Sequence, residues 1–405
     1  MKKISLAVLS VIFAALLGIG LYFKITDNGD DNERIVLAFN ENTGSTESSV
    51  DELLDKLNLT DIQGLMDALS GNQLEVFGFS DIRDRIVAVA SGEVKNEFGS
   101  IVSYILALLG TDVFEFLPML IGCLTIVLAY NIINSIKGRF ASDSIERVVY
   151  FATGLIAVSL VVGYFAAVIV HAVKLIGSIK SQINAVSPVL LTLMTAAGAT
   201  SSAGVYAPTV AVLGSGMTNV ITYLAFPALL MGLVFDIIGS VSNAIKLDKT
   251  AEFFRSVCKW FLGTAFFLFI AVIGVSGITA SVRDGISVRA ARFALSKYVP
   301  VIGGYLSQGF DFMIAGNVLI KNAIGSSAVV LIILVAAPII SKLAVFTLTL
   351  KLTAALAEPL GGEKFSGILS SVAKSSSVMN AVVCAMTFLY VLFLSMLICT
   401  GNISL

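Results

Sequence analysis

A series of apolar runs, separated by short charged loops, limits this chain more than any other feature. About 20 apolar residues are needed for a helix to cross the hydrocarbon core of a bilayer. Runs at roughly 116–136, 148–170, 216–236, 261–280, 323–340 and 379–400 reach that length or come close to it. They predict an all-α polytopic membrane protein. Composition agrees: 57% of residues are hydrophobic and only 13% charged, where a soluble domain carries about 25% charged. The net charge of -1 supplies no field that would attract nucleic acid. A single histidine excludes a histidine-rich metal centre and most histidine-based catalysis.

The chain starts Met1-Lys2-Lys3, runs apolar from Ile4 to Phe23 and then meets Lys24. Lysines ahead of an apolar run hold that end in the cytoplasm. Residues 1–24 therefore form a signal peptide or a retained N-terminal anchor, and both readings export the residues beyond Lys24. Residues 25–98 hold 16 acidic and 5 basic residues, whereas residues 99–405 hold 11 acidic and 18 basic. The near-zero net charge is thus a cancellation between an acidic extracytoplasmic domain and a mildly basic membrane body. Residues 25–47 read as linker, and three helix starts follow. Ser49-Val-Asp-Glu52 and Thr60-Asp-Ile-Gln63 have the spacing of a capping box, and a third start lies near Ser80 or Asp81. Behind them, apolar stripes such as Val50, Leu53, Leu54 and Leu57 predict three or four short helices. The acidic face fits either a basic partner or a plain solvated surface. Cys123, Cys258, Cys384 and Cys399 lie in or beside apolar segments, outside the acidic domain, and read as small apolar packers.

Within the body, residues 99–110 are apolar but short, and the charges Asp112 and Glu115 follow, so they read as an interfacial helix. Segments 186–214 and 299–320 are apolar yet rich in Gly, Ser and Pro, which predicts two broken or re-entrant segments. The two segments also align. Ser187-Pro188-Val189-Leu190 matches Val299-Pro300-Val301-Ile302 at a spacing of 112 residues, and Ala203-Gly204 matches Ala315-Gly316 at the same spacing. This suggests a duplication, with repeats 143–239 and 255–350 in a multi-span helical bundle. Duplicated cores with discontinuous helices are common among transporters, so a stand-alone secondary transporter or permease is an alternative reading. Counting spans from a cytoplasmic start leaves the basic run Arg283, Arg289, Arg292 and Lys297 outside, against the usual cytoplasmic excess of positive charge.

Charges at membrane depth are costly and face protein or water. Asp311, Lys321 and Asn322 are candidates for a polar path or an intramembrane ion pair, with Asp284 and Glu358 as further polar candidates. Gly204, Pro208, Pro300, Gly303 and Gly304 mark the small-residue segments. The first segment has no charge, so an ion site near Asp311 would not be duplicated. The sequence contains no Gly-rich phosphate loop, metal-ligand cluster or nucleophile elbow. No enzyme activity, catalytic residue, cofactor or metal is expected.

Several longer stretches carry a resemblance. They are Gly198-Ala-Thr-Ser-Ser-Ala-Gly-Val-Tyr-Ala-Pro208, Asp284-Gly285 followed by Arg289-Ala-Ala-Arg292, and Lys297-Tyr-Val-Pro-Val-Ile-Gly-Gly304. Leu319-Ile-Lys-Asn-Ala-Ile-Gly325 and Lys351-Leu-Thr-Ala-Ala-Leu-Ala-Glu-Pro359 complete the set. With the layout of leader, helical outer region and multi-span body, they make the chain resemble the stage III sporulation protein AE family. The resemblance implies a component of the channel that links mother cell and forespore and supports late forespore development. It implies a multi-pass protein of the mother-cell membrane around the forespore. The partners it implies are the other mother-cell channel proteins, a forespore-made protein reached across the intermembrane space, and the lipid bilayer. The family brings no catalytic residues to carry over.

Overall fold

The computed structural model describes residues 54–55, 57–94, 97–136, 143–241, 247–298, 303–360 and 362–400. Every regular element among them is helical. Three short helices come first: α1 (Thr60–Asp67), α2 (Gly71–Phe77) and α3 (Ile82–Ala90). Long helices follow: α4 (Glu97–Ile136), α5 (Asp143–Ala196), α6 (Thr200–Ala211), α7 (Phe226–Val241), α8 (Asp248–Tyr298), α9 (Gly303–Ala357) and α10 (Glu363–Cys399). Between α6 and α7 the chain stays helical but widens into π-helical turns at Val212–Met217 and Ile221–Ala225. Among the described residues, six helical stretches are long and apolar enough to cross a membrane, and each overlaps one of the runs expected from the sequence.

The short helices start where local capping allows. Asp81 caps α3, its carboxylate accepting from the Arg83 amide at 2.7 Å. The capping box belongs to α2, where Gln73 Oε1 accepts from the Ser70 amide at 2.8 Å. The expected box at Thr60 is not formed. Gln63 instead accepts from the Ile82 amide at 2.9 Å and so ties α1 to the start of α3. The expected start at Ser49 lies outside the described residues. This acidic unit shares one core with the body: Ile62, Met66, Phe77 and Ile86 belong to the same buried cluster as Phe116, Leu331 and Phe346. Pro338 explains one bond in that junction. A proline has no amide hydrogen, so the carbonyl four residues earlier in its helix loses its usual donor. That carbonyl belongs to Leu334, and Gln73 Nε2 donates to it at 2.7 Å.

Two expectations about helix continuity need correction. Residues 99–110 are not a separate interfacial helix, because α4 runs through them without a break. The charges that suggested a membrane boundary are satisfied sideways: Ser341 Oγ donates to Asp112 at 2.5 Å, and Lys342 pairs with Glu115 at 2.8 Å. Segment 299–320 is not broken from Gly303 onward, since α9 is continuous to Ala357. Gly303 and Gly304 occupy its first turn, where backbone amides lack intrahelical partners in any case. Segment 186–214 does break, but at a single place, Ala197–Ala199. Pro188 lies inside α5. The 112-residue offset pairs this turn with residues 309–311, which lie inside α9.

Helices α9 and α10 form the central antiparallel hairpin. Val318 to Ile332 of α9 are buried throughout. Gly325 permits this closeness: a Cβ there would overlap Ile398 Cγ1 of α10. Helix α4 runs parallel to α9, as shown by the bonds Ser341–Asp112 and Asn131–Leu360 near either end of their contact.

Candidate functional site

The turn between α5 and α6 organises one end of the bundle. Gly198 has φ +86°, a conformation that glycine adopts without steric cost. The Ala199 amide donates to the Met194 carbonyl at 2.8 Å and the Gly198 amide to Thr195 at 3.0 Å. These paired bonds close α5 as a Schellman motif. Helix α6 then begins at once, and its cap position is Ala199, which has no side-chain acceptor. Asp284 of α8 supplies it from across the interface. Its two carboxylate oxygens accept from the Ser201 and Ser202 amides, each at 2.8 Å. A carboxylate at a helix N-terminus gains both hydrogen bonds and the favourable end of the helix dipole. Val288, one turn beyond Asp284, packs so near Gly198 that a Cβ there would lie 2.8 Å from Val288 Cγ2.

Lys321 performs the opposite task. It is fully buried in α9, and its Nζ donates to the carbonyl of Thr400, the residue that closes α10. The last carbonyls of a helix lack intrahelical donors, and Lys321 supplies one such donor. Tyr206 of α6 joins the same group, its hydroxyl lying 3.2 Å from Thr400 Oγ1. Lys321, Thr400 and Tyr206 therefore lock α6, α9 and α10 together.

Asp311 and Lys321 do not form the expected pair. They are ten residues apart in one helix, or about 15 Å at 1.5 Å per residue. Asp311 is partly exposed and pairs with Arg292 Nε of α8 at 2.7 Å. Asn322 is buried beside Lys321. Glu358 is exposed in the turn after α9, away from both. Gly204 and Pro208 are also exposed, and nothing lies within 4 Å of a Cβ placed on Gly204. Among the described residues, these candidates are therefore not brought together into one site. Pro300 lies outside those residues, and Gly303 and Gly304 only begin α9.

Sequence reasoning missed one buried ion pair. Asp236 of α7 pairs with Arg255 of α8, both buried, across the hairpin that joins the two helices. An acidic residue ending an apolar run, followed 19 residues later by an arginine, was the available signal. Read singly, Arg255 passes for a loop charge. Among the described residues, no group of three His, Cys, Asp or Glu side chains could hold a metal ion. The chemistry of the arrangement is mechanical: Asp112, Asp236, Asp284 and Lys321 each bind a group on another helix.

A family model described as stage III sporulation protein AE matches residues 80–401. The chain belongs to the stage III sporulation protein AE family. The stage III sporulation protein AE of Bacillus subtilis (strain 168) is 26% identical over 287 residues, covering 71% of this chain and 72% of that protein. No solved structure matches. Two stretches that carry the family resemblance, Gly198–Pro208 and Asp284-Gly285, are the ones joined by the Asp284 cap.

Proposed function

We propose that this chain is an integral-membrane platform or conduit subunit of the sporulation channel that links mother cell and forespore, and that it is needed for late forespore development. The observation that carries the reading is the family match across residues 80–401. The packing of the body supports a subunit over a stand-alone transporter. A transporter would be expected to hold Asp311 against an enclosed polar cavity between the two small-residue segments. Instead Asp311 is partly exposed and bound to Arg292, and Val318 to Ile332 are buried in the bundle.

In this reading the chain sits in the mother-cell membrane around the forespore. Lys2 and Lys3 hold the start of the chain inside. The acidic domain, 25–98, then lies in the intermembrane space with the turn Ala197–Ala199 and the end of α8. There it meets other mother-cell channel proteins and the forespore-made partner. The test is a deletion strain complemented with the wild-type chain, with a form lacking residues 54–90, or with D284A. Late forespore gene expression and co-purification of the other channel proteins are measured. The proposal expects wild type to restore both and D284A to weaken both. Normal late gene expression in the deletion strain would overturn it.

A further inference from the structure

One face of α10 is polar at a depth where neighbouring helices expose apolar side chains. Helix α4 exposes Val113, Leu117, Ile121, Leu128 and Ile132. From 113 to 133 this is about 30 Å of helix, the thickness of a hydrocarbon core. Helix α9 continues the same surface with exposed Leu348, Leu352 and Leu356.

Helix α10 occupies the same depth. The Tyr130 and Phe365 rings meet at 5.3 Å, Phe116 meets Phe346 at 5.1 Å, and Thr347 bonds Ser376 at 2.8 Å. The antiparallel register set by these contacts places Lys374 near the level of Ile121, midway along the apolar surface.

Yet the outward face of α10 carries Gly367, Ser370, Ser371, Lys374, Ser377 and Ala381. Their spacing follows one side of a helix. Gly367, Lys374 and Ala381 are exposed, and the three serines are partly so. A lysine at the centre of a hydrocarbon core is costly and faces protein or water. Lys374 acts electrostatically on Asp236, which is already bound by Arg255. Ser375, the next residue in α10, is buried with a hydroxyl that has no hydrogen-bond partner among the described residues. A lipid-facing surface disfavours the exposed Lys374 and its flanking serines.

We propose that this face of α10 lines a water-filled path across the membrane, with Lys374 giving it a preference for anions. The proposal rests on the conduit form of the function above and names the surface that would do the conducting. The apolar flank of α4 and α9 faces lipid, and water solvates the Lys374 ammonium and the serine hydroxyls.

The test uses the full-length chain in native membranes, with the four native cysteines replaced by serine. S371C and S377C, with A381C nearer one end of the stripe, are compared with I121C and L352C on the apolar surface. A membrane-impermeant thiol reagent should label the α10 positions at least about tenfold faster than the α4 and α9 positions, because polar reagents are excluded from hydrocarbon. An anionic reagent should label S377C faster than a cationic one, and K374E should reverse that order. Equal, slow labelling of all five positions would overturn the proposal. So would oxidative cross-linking of S377C between two chains without labelling, since the stripe would then pack against a second copy. Labelling in membranes is read separately from forespore development. A labelled stripe in a chain whose deletion leaves late gene expression normal would defeat the sporulation reading and leave this one standing.

Discussion

Segments 186–214 and 299–320 look alike in sequence and fold differently. Both are rich in small residues, and both invite a broken helix. The first breaks at Gly198, and the second runs helical from Gly303. The difference shows that small residues permit a break but do not make one. At Gly198 three conditions meet: a positive φ, paired bonds that close α5, and a carboxylate on another helix that opens α6. In the described part of the second segment, Gly309 has no such neighbours; nothing lies within 4 Å of a Cβ placed there.

This contrast can be pressed experimentally, and unfolding of the purified full-length chain in detergent is the common measurement. The largest loss is expected just beyond the second segment, from Lys321→Ala. It strips the Thr400 carbonyl of its donor and empties a fully buried site, so about 3 kcal/mol should be lost. At the break itself, Gly198→Ala should cost about 2 kcal/mol, from the left-handed backbone and the approach of Val288. V288A should recover part of that loss. Asp284→Ala leaves two amides of α6 without their acceptor, for about 1.5 kcal/mol, and D284N should lose less. In the unbroken segment the sign reverses: Gly309→Ala should stabilise by about 0.5 kcal/mol as a better helix former. If Gly198→Ala and Gly309→Ala behaved alike, the distinction between the two segments would fail. The smallest effect belongs to Asp311→Asn. Its pairing with Arg292 is partly exposed, and its loss should cost no more than about 0.5 kcal/mol.

Some of this was legible from the residues. The apolar runs announced six long helices, and Asp81 announced the start of α3. Asp284 and Lys321 also stood out, because charge in apolar surroundings always needs an explanation. Their partners were not legible. Lys321 bonds a backbone carbonyl, and Asp284 bonds two backbone amides. Backbone groups carry no sequence signature, so a search for charge complements led to Asp311 instead. The Asp112–Ser341 contact was hidden for a related reason: a serine is too common to nominate as the partner of a carboxylate 229 residues away.

The sequence by itself determined the class of this protein, the approximate place of its helices and the acidic character of residues 25–98. Those properties follow from hydrophobic run length and charge, which act locally. Tertiary structure alone decided which helix ends meet which charges, that Gln73 fills the carbonyl freed by Pro338, and that α10 turns a polar face outward among apolar neighbours. Unpaired amides and carbonyls come into being only when helices end or kink, and only packing brings a distant side chain to them.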